Sequence, residues 1–198
     1  MNLVLTIDKL VARCVQDSIA VKQHLLQDEQ YHAQVLSLAN AMARALAAGH
    51  KVIFFGNGGS AADAQHLAAE LTGRYLAERP GLAALTLTAN TSAITAIGND
   101  YSFELVFARQ LEALGAPGDV AVAISTSGNS ANVIRAVDFA RSNKIITAAL
   151  TGKTGGALFS RVEYCVRIPS DCTPRIQEAH ILTGHILCEI IEHELFSH

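Results

Sequence analysis

The chain has 198 residues, of which 50% are hydrophobic and only 17% charged, with a formal net charge of -3. That balance excludes a disordered chain and leaves room for one domain with a real core. With no Lys/Arg cluster it offers no footprint for nucleic acid, and no run nears the roughly 20 apolar residues that a membrane span needs.

Residues 1–7 are apolar but too short for a signal peptide, and Asp8 and Lys9 close the run. The cysteines Cys14, Cys165, Cys172 and Cys188 form no C-x-x-C pair and have apolar or strand-like neighbours. Buried free thiols in a reducing cytosol are expected of them, so a cytoplasmic location is expected of the chain. Residues 1–49 read as two helices. Ile7, Leu10, Val11, Cys14 and Val15 follow helical spacing, and Val35, Leu38, Ala39, Met42 and Leu46 repeat it after the polar break at residues 27–30. Gly49 stops the second helix.

From Lys51 the rhythm alternates. Strands are predicted at 52–55, 82–87, 119–124, 145–150 and 164–168. Helices are predicted at 60–75 and 131–141, with helical segments within 92–114 and a short one after residue 156. A last, strongly apolar helix opens at Pro174 and runs to about residue 195. Strands alternating with helices predict a three-layer α/β/α sandwich on a five-stranded parallel sheet, as one domain of residues 1–198: an N-terminal helical pair, then an α/β core over 50–198. In such folds a ligand sits beyond the carboxyl ends of the strands.

Two loops on that rim carry chemistry. Ser125-Thr126-Ser127-Gly128-Asn129-Ser130 joins the third strand to a helix. Free N–H groups and the positive end of the helix dipole gather at such a point, and the hydroxyls add donors, so the turn suits a phosphate. Plain capping is the simpler alternative, but one cap needs one such residue. The loop after the first strand, Gly56-Asn57-Gly58-Gly59-Ser60-Ala61, formally satisfies a dinucleotide fingerprint. The second strand, however, ends in Thr86-Leu87-Thr88-Ala89-Asn90 and lacks the carboxylate that would hold a ribose. The glycines suit a backbone that approaches a small polar ligand closely.

His66 and Glu70 stand four apart, on one helix face. The last helix carries Arg175, Gln177, Glu178, His180 and His185 among apolar residues, and polar groups there need partners. Gln177 and His185 are eight apart, about 12 Å along the axis, so a shared metal would need long reaches or ligands from two subunits. His193 and His198 read as exposed tail residues.

The ordered set of Gly56-Asn57-Gly58-Gly59-Ser60, the His66/Glu70 pair, Leu71-Thr72-Gly73-Arg74-Tyr75, Gly98-Asn99-Asp100, residues 125–130, Leu150-Thr151-Gly152-Lys153 and Arg175-Ile176-Gln177-Glu178 resembles the sugar isomerase (SIS) fold, which is flavodoxin-like, and within it the bacterial phosphoheptose isomerases. The resemblance spans about residues 10–195. It implies a homotetramer with sites at subunit interfaces that converts sedoheptulose 7-phosphate to D-glycero-D-manno-heptose 7-phosphate, toward the heptose of lipopolysaccharide core or other surface glycans. It implies one zinc per site, held by His66, Glu70, Gln177 and His185. Substrate contacts would come from Asn57, Gly58, Gly59, Asn99, Asp100, Ser125, Thr126, Ser127, Ser130 and Gln177, and the catalytic pair would be Glu70 as base and His185 as acid. Some of these isomerases carry Asp three residues before the glutamine where this chain has Pro174, which removes one polar contact to the sugar. The chain also resembles a non-enzymatic branch that binds the replication initiator protein. Those members look like isomerases whose catalytic Glu and His have been replaced, and both residues are present here.

Overall fold

The structure, a computed structural model, describes residues 7–197; the apolar start at 1–6 and His198 lie outside them. Helices α1 (Ile7–Gln27) and α2 (Glu29–Ala47) form the N-terminal pair. The break between them is one residue, because Asp28 caps α2 by accepting a hydrogen bond from the Tyr31 N–H at 3.0 Å. Gly49, at φ +83°, ends α2: its N–H and that of His50 close back on the carbonyls of Leu46 and Ala45.

Five parallel strands follow: β1 (Val52–Gly56), β2 (Ala84–Thr86), β3 (Val120–Ser125), β4 (Ile146–Thr151) and β5 (Tyr164–Arg167). Their order is β2-β1-β3-β4-β5, so the chain reverses direction across the sheet between β1 and β3. That is a topological switch point, where the loops leaving the two strands diverge and open a crevice. β1 and β3 are buried at every position, which explains why they read as unbroken apolar runs.

The pleat sends alternate residues to two cores. Val52, Phe54, Val122 and Ile124 pack with α2, with α3 (Gly59–Thr72) and with α7 (Thr173–Phe196) on one face. Ile53, Phe55, Ala121 and Ala123 pack on the other face with α5 (Ala108–Leu114) and α6 (Ala131–Ser142), flanked by Ile94 and Ile97 of α4 (Thr91–Asp100). The α/β/α layering is the one the alternation predicts.

Two boundaries differ from expectation for a physical reason. α3 stops at Thr72 instead of Tyr75, because the N–H groups of Tyr75, Leu76 and Ala77 turn away to the Glu192 carboxylate on α7. β2 has only three residues, because Leu82 donates to the Leu71 carbonyl at the end of α3 before the chain joins the sheet. None of the described helices is long and apolar enough to cross a membrane.

Candidate active site

The serine turn sits at the carboxyl end of β3 and opens α6. Ser130 occupies the cap position, yet its side chain makes no capping bond; its hydroxyl faces Ser125 Oγ at 3.3 Å. Plain capping by Ser130 therefore does not account for the turn, and the start of α6 has the free N–H groups and dipole end that suit an anion. Gly128, at φ +66°, makes the fold-back possible, and its N–H donates to Ser125 Oγ at 3.2 Å. Asn129 Oδ1 accepts from the Ala157 N–H at 2.9 Å and so ties the turn to the chain after β4. Ser125 is buried, Thr126 half-buried and Ser127 exposed, so the hydroxyls line the rim at graded depth.

The β1 loop is buckled to this turn by a residue that sequence reasoning missed. Asn57 and Asn132 exchange two amide hydrogen bonds, each 2.9 Å, across the switch point. Asn132 Oδ1 also accepts from the Val133 N–H at 2.9 Å. The only available signal was an amide residue in the first turn of α6, two positions after Ser130. Beside Asn57 and Gly58 a cavity of about 170 Å³ is lined by Thr88, Ile94, Phe103 and Phe107. Where a dinucleotide fold would place its carboxylate, Thr86 and Thr88 bond each other at 2.8 Å, and Thr88 Oγ1 donates to the Ala61 carbonyl. Asn99 and Asp100 end α4 facing solvent and bonded to one another, and they make no hydrogen bond to either loop among the described residues.

His66 and Glu70 lie on α3 and His185 on α7, and the two helices bring them together. Gly184 allows it: a Cβ there would stand 3.0 Å or less from Leu67 Cγ and Cδ1, so α7 lies hard against α3 one residue from His185. His66 Nε2 is 2.9 Å from His185 Nε2 and 3.1 Å from Glu70 Oε1. Tyr75 stacks on the other side of the His185 ring, with centroids 5.6 Å apart and planes at 24°. Asp63, one turn before His66, buries an oxygen that has no partner. Burial pushes its carboxyl pKa up, and His66 pulls it back down.

One donor atom from each of His66, Glu70 and His185 lies within 4.8 Å of the other two. Two imidazole nitrogens and a carboxylate oxygen, partly exposed and converging, are a donor set that zinc takes, with a position left for a fourth ligand. The Gln177 amide lies over Gly59 at the start of α3, and among the described residues it makes no hydrogen bond to the His/Glu group. His180 faces the sheet, bonded to the Thr151 carbonyl, and His193 is exposed.

The uncapped serine turn after β3 and the His/Glu cluster on α3 and α7 agree with the sequence comparisons. Residues 17–152 match the family model described as SIS domain. A phosphoheptose isomerase 2 of Campylobacter jejuni is 51% identical over 180 residues, covering 91% of this chain and 90% of that protein. A phosphoheptose isomerase of Aneurinibacillus thermoaerophilus is 47% identical over 182 residues, covering 92% of each. The solved phosphoheptose isomerase of Neisseria gonorrhoeae superimposes with a TM-score of 0.87 at 45% identity, over 94% of this chain and 99% of that one. That of Francisella tularensis gives 0.89 at 38% identity, over 95% and 99%. The chain belongs to the phosphoheptose isomerases of the SIS-domain family.

Proposed function

We propose that this enzyme converts sedoheptulose 7-phosphate to D-glycero-D-manno-heptose 7-phosphate, a first step toward the heptose of surface glycans. The observation that carries the reading is the meeting of Glu70 and His185 at His66 on α3, the helix that leaves the β1 loop, which the Asn57–Asn132 amide bonds join to the start of α6. The 7-phosphate seats at the start of α6 against Ser125, Thr126, Ser127 and Ser130, and this fixes the far end of the sugar before chemistry begins. Asn57, Gly58, Gly59, Asn99, Asp100 and Gln177 take the hydroxyls along the chain.

At the other end Glu70 removes a proton from C1 as His185 gives one to the C2 carbonyl oxygen, forming the enediol. His185 then takes the O1 proton as the C1 carbonyl forms, and Glu70 returns its proton to C2. The net change is one hydrogen moved from C1 to C2 and one from O1 to O2. His66, Glu70 and His185 would hold a zinc ion, with Gln177 expected as a fourth ligand. When bound, it supplies a Lewis acid that favours negative charge on the substrate oxygens.

Homotetramer assembly with sites at subunit interfaces is supported by an apolar groove of about 410 Å³ between α1, α2 and α7, lined by Leu25, Leu26, Leu36, Leu182, Ile186 and Ile190. A cytoplasmic location is supported by four cysteines that all stay unpaired.

Incubation with sedoheptulose 7-phosphate followed by NMR tests the assignment, and the C1 aldehyde and hemiacetal signals of the aldose are expected. Glu70→Gln should abolish turnover while the protein stays folded. Full activity in that variant refutes the proton path.

A further inference from the structure

The loop that leaves α3 is fastened by a buried ion pair that the proton path does not use. Arg79 and Glu192 have side chains 0% and 5% exposed, and Arg79 Nε donates to Glu192 Oε1 at 2.7 Å. Glu192 also accepts from three consecutive backbone N–H groups, those of Tyr75, Leu76 and Ala77, at 2.9–3.0 Å. Burial alone would raise its pKa, but these donors and Arg79 outweigh it and hold Glu192 below its ordinary value. The rest of the guanidinium reaches the end of α3: Nη1 donates to the Leu71 carbonyl and Nη2 to the Glu70 carbonyl, both at 2.9 Å. One buried charge pair thus grips the last turn of α3, the loop after it and the C-terminal half of α7. Glu192 is seven residues past His185, two turns along nearly the same face. The loop it holds presents Tyr75 to the His185 ring, while His66 meets that ring edge-on at 5.1 Å and 65°.

We propose that Tyr75 is a positioning residue for His185 and that the Arg79–Glu192 pair is the clip that holds it there. The loop after α3 thereby sets the orientation of the imidazole toward Glu70 and His66. Four donors spent on one buried carboxylate exceed what closing a surface loop requires, and an aromatic face fixes a ring plane without competing for its nitrogens. The role rests on the isomerase reading for its catalytic consequence, but not for its effect on the donor cluster.

The test compares Tyr75→Leu with Tyr75→Phe. Outer groups that orient metal-binding histidines typically matter by 10–100-fold, so Tyr75→Leu should lower kcat about tenfold or more, with KM for sedoheptulose 7-phosphate changed by no more than about twofold. Zinc affinity, read on metal-free protein by competition with a chromophoric chelator, should weaken similarly, and Tyr75→Phe should restore both. The zinc measurement decides the positioning role even if no sugar phosphate turns over. Unchanged zinc affinity in Tyr75→Leu, or equal losses in the Leu and Phe variants, overturns the role. Glu192→Gln should speed hydrogen exchange at the Tyr75, Leu76 and Ala77 amides and weaken zinc as Tyr75→Leu does. Faster exchange with wild-type zinc affinity overturns the clip. Should Glu192→Gln not fold, Arg79→Lys, which keeps the charge, gives the same two readings.

Discussion

His180 makes the stability of this fold depend on pH in a calculable way. It lies in the middle of α7, 1% exposed, with Nε2 3.1 Å from the Thr151 carbonyl and Nδ1 without a partner. An imidazolium there would strand a donor in an apolar layer. Burial therefore pushes the pKa down to about 4, against a smaller upward pull from the bond to Thr151. In the unfolded chain the group titrates near 6.5. Between the two values the unfolded state binds the extra proton. The contribution is thus complete above about pH 6.5 and is lost as pH falls toward 4. A gap of about 2.5 pH units at 1.36 kcal/mol each is about 3 kcal/mol, of which about 2 kcal/mol is gone by pH 5. Urea unfolding at pH 7.5, 6 and 5 should be compared in wild type and His180→Gln, whose amide reaches the same carbonyl but does not titrate. Wild type should lose about 2 kcal/mol more than the variant between pH 7.5 and 5. Parallel losses would refute the assignment of a neutral, buried imidazole.

Two further outcomes follow from the site. Asn132→Ala removes both amide bonds to Asn57 and the one to Val133, at about 1 kcal/mol each. It should lower the urea midpoint and raise KM for sedoheptulose 7-phosphate more than it lowers kcat; unchanged KM would show that the buckle does not shape the cradle. Chelation should stop turnover and zinc add-back restore it. An unchanged rate in verified metal-free protein would leave the ion no catalytic part.

Much of the fold was legible because its signals are local. β1 and β3 are continuous apolar runs, and Gly49 marks the end of α2 by its backbone freedom. The serine turn stands out in the sequence because more hydroxyls crowd it than one cap needs, and Ser130 makes no capping bond. What escaped is non-local and polar. Arg79 and Glu192 are 113 positions apart, and each reads as an ordinary solvated charge until the fold buries it. Their pairing is also why α3 ends short of Tyr75, a boundary that helical spacing alone extends. Asn132 reads as one more helix residue because its partner, Asn57, belongs to another loop. Gln177 and His185, eight residues apart on α7, meet different parts of α3: one lies over Gly59 and the other against His66.

The two ends of the crevice are built by different devices, and the difference bears on how the enzyme divides its work. The proposed anion end is a turn at the switch point, locked by Asn57–Asn132 and by Asn129 to the chain after β4. It rests on β1 and β3, which are buried at every position. The proposed acid–base end is made of side chains on α3 and α7, whose approach rests on Gly184 against Leu67 and on the Arg79–Glu192 pair. Small relative shifts of two helices change that spacing without disturbing the sheet. Substitutions at the switch point therefore act mainly on substrate affinity, and substitutions along the α3–α7 contact act mainly on the chemical step. On the proposed reading the phosphate is a fixed handle, so the precision required for proton transfer falls on a helix pair that a missing Cβ and one buried charge pair hold together.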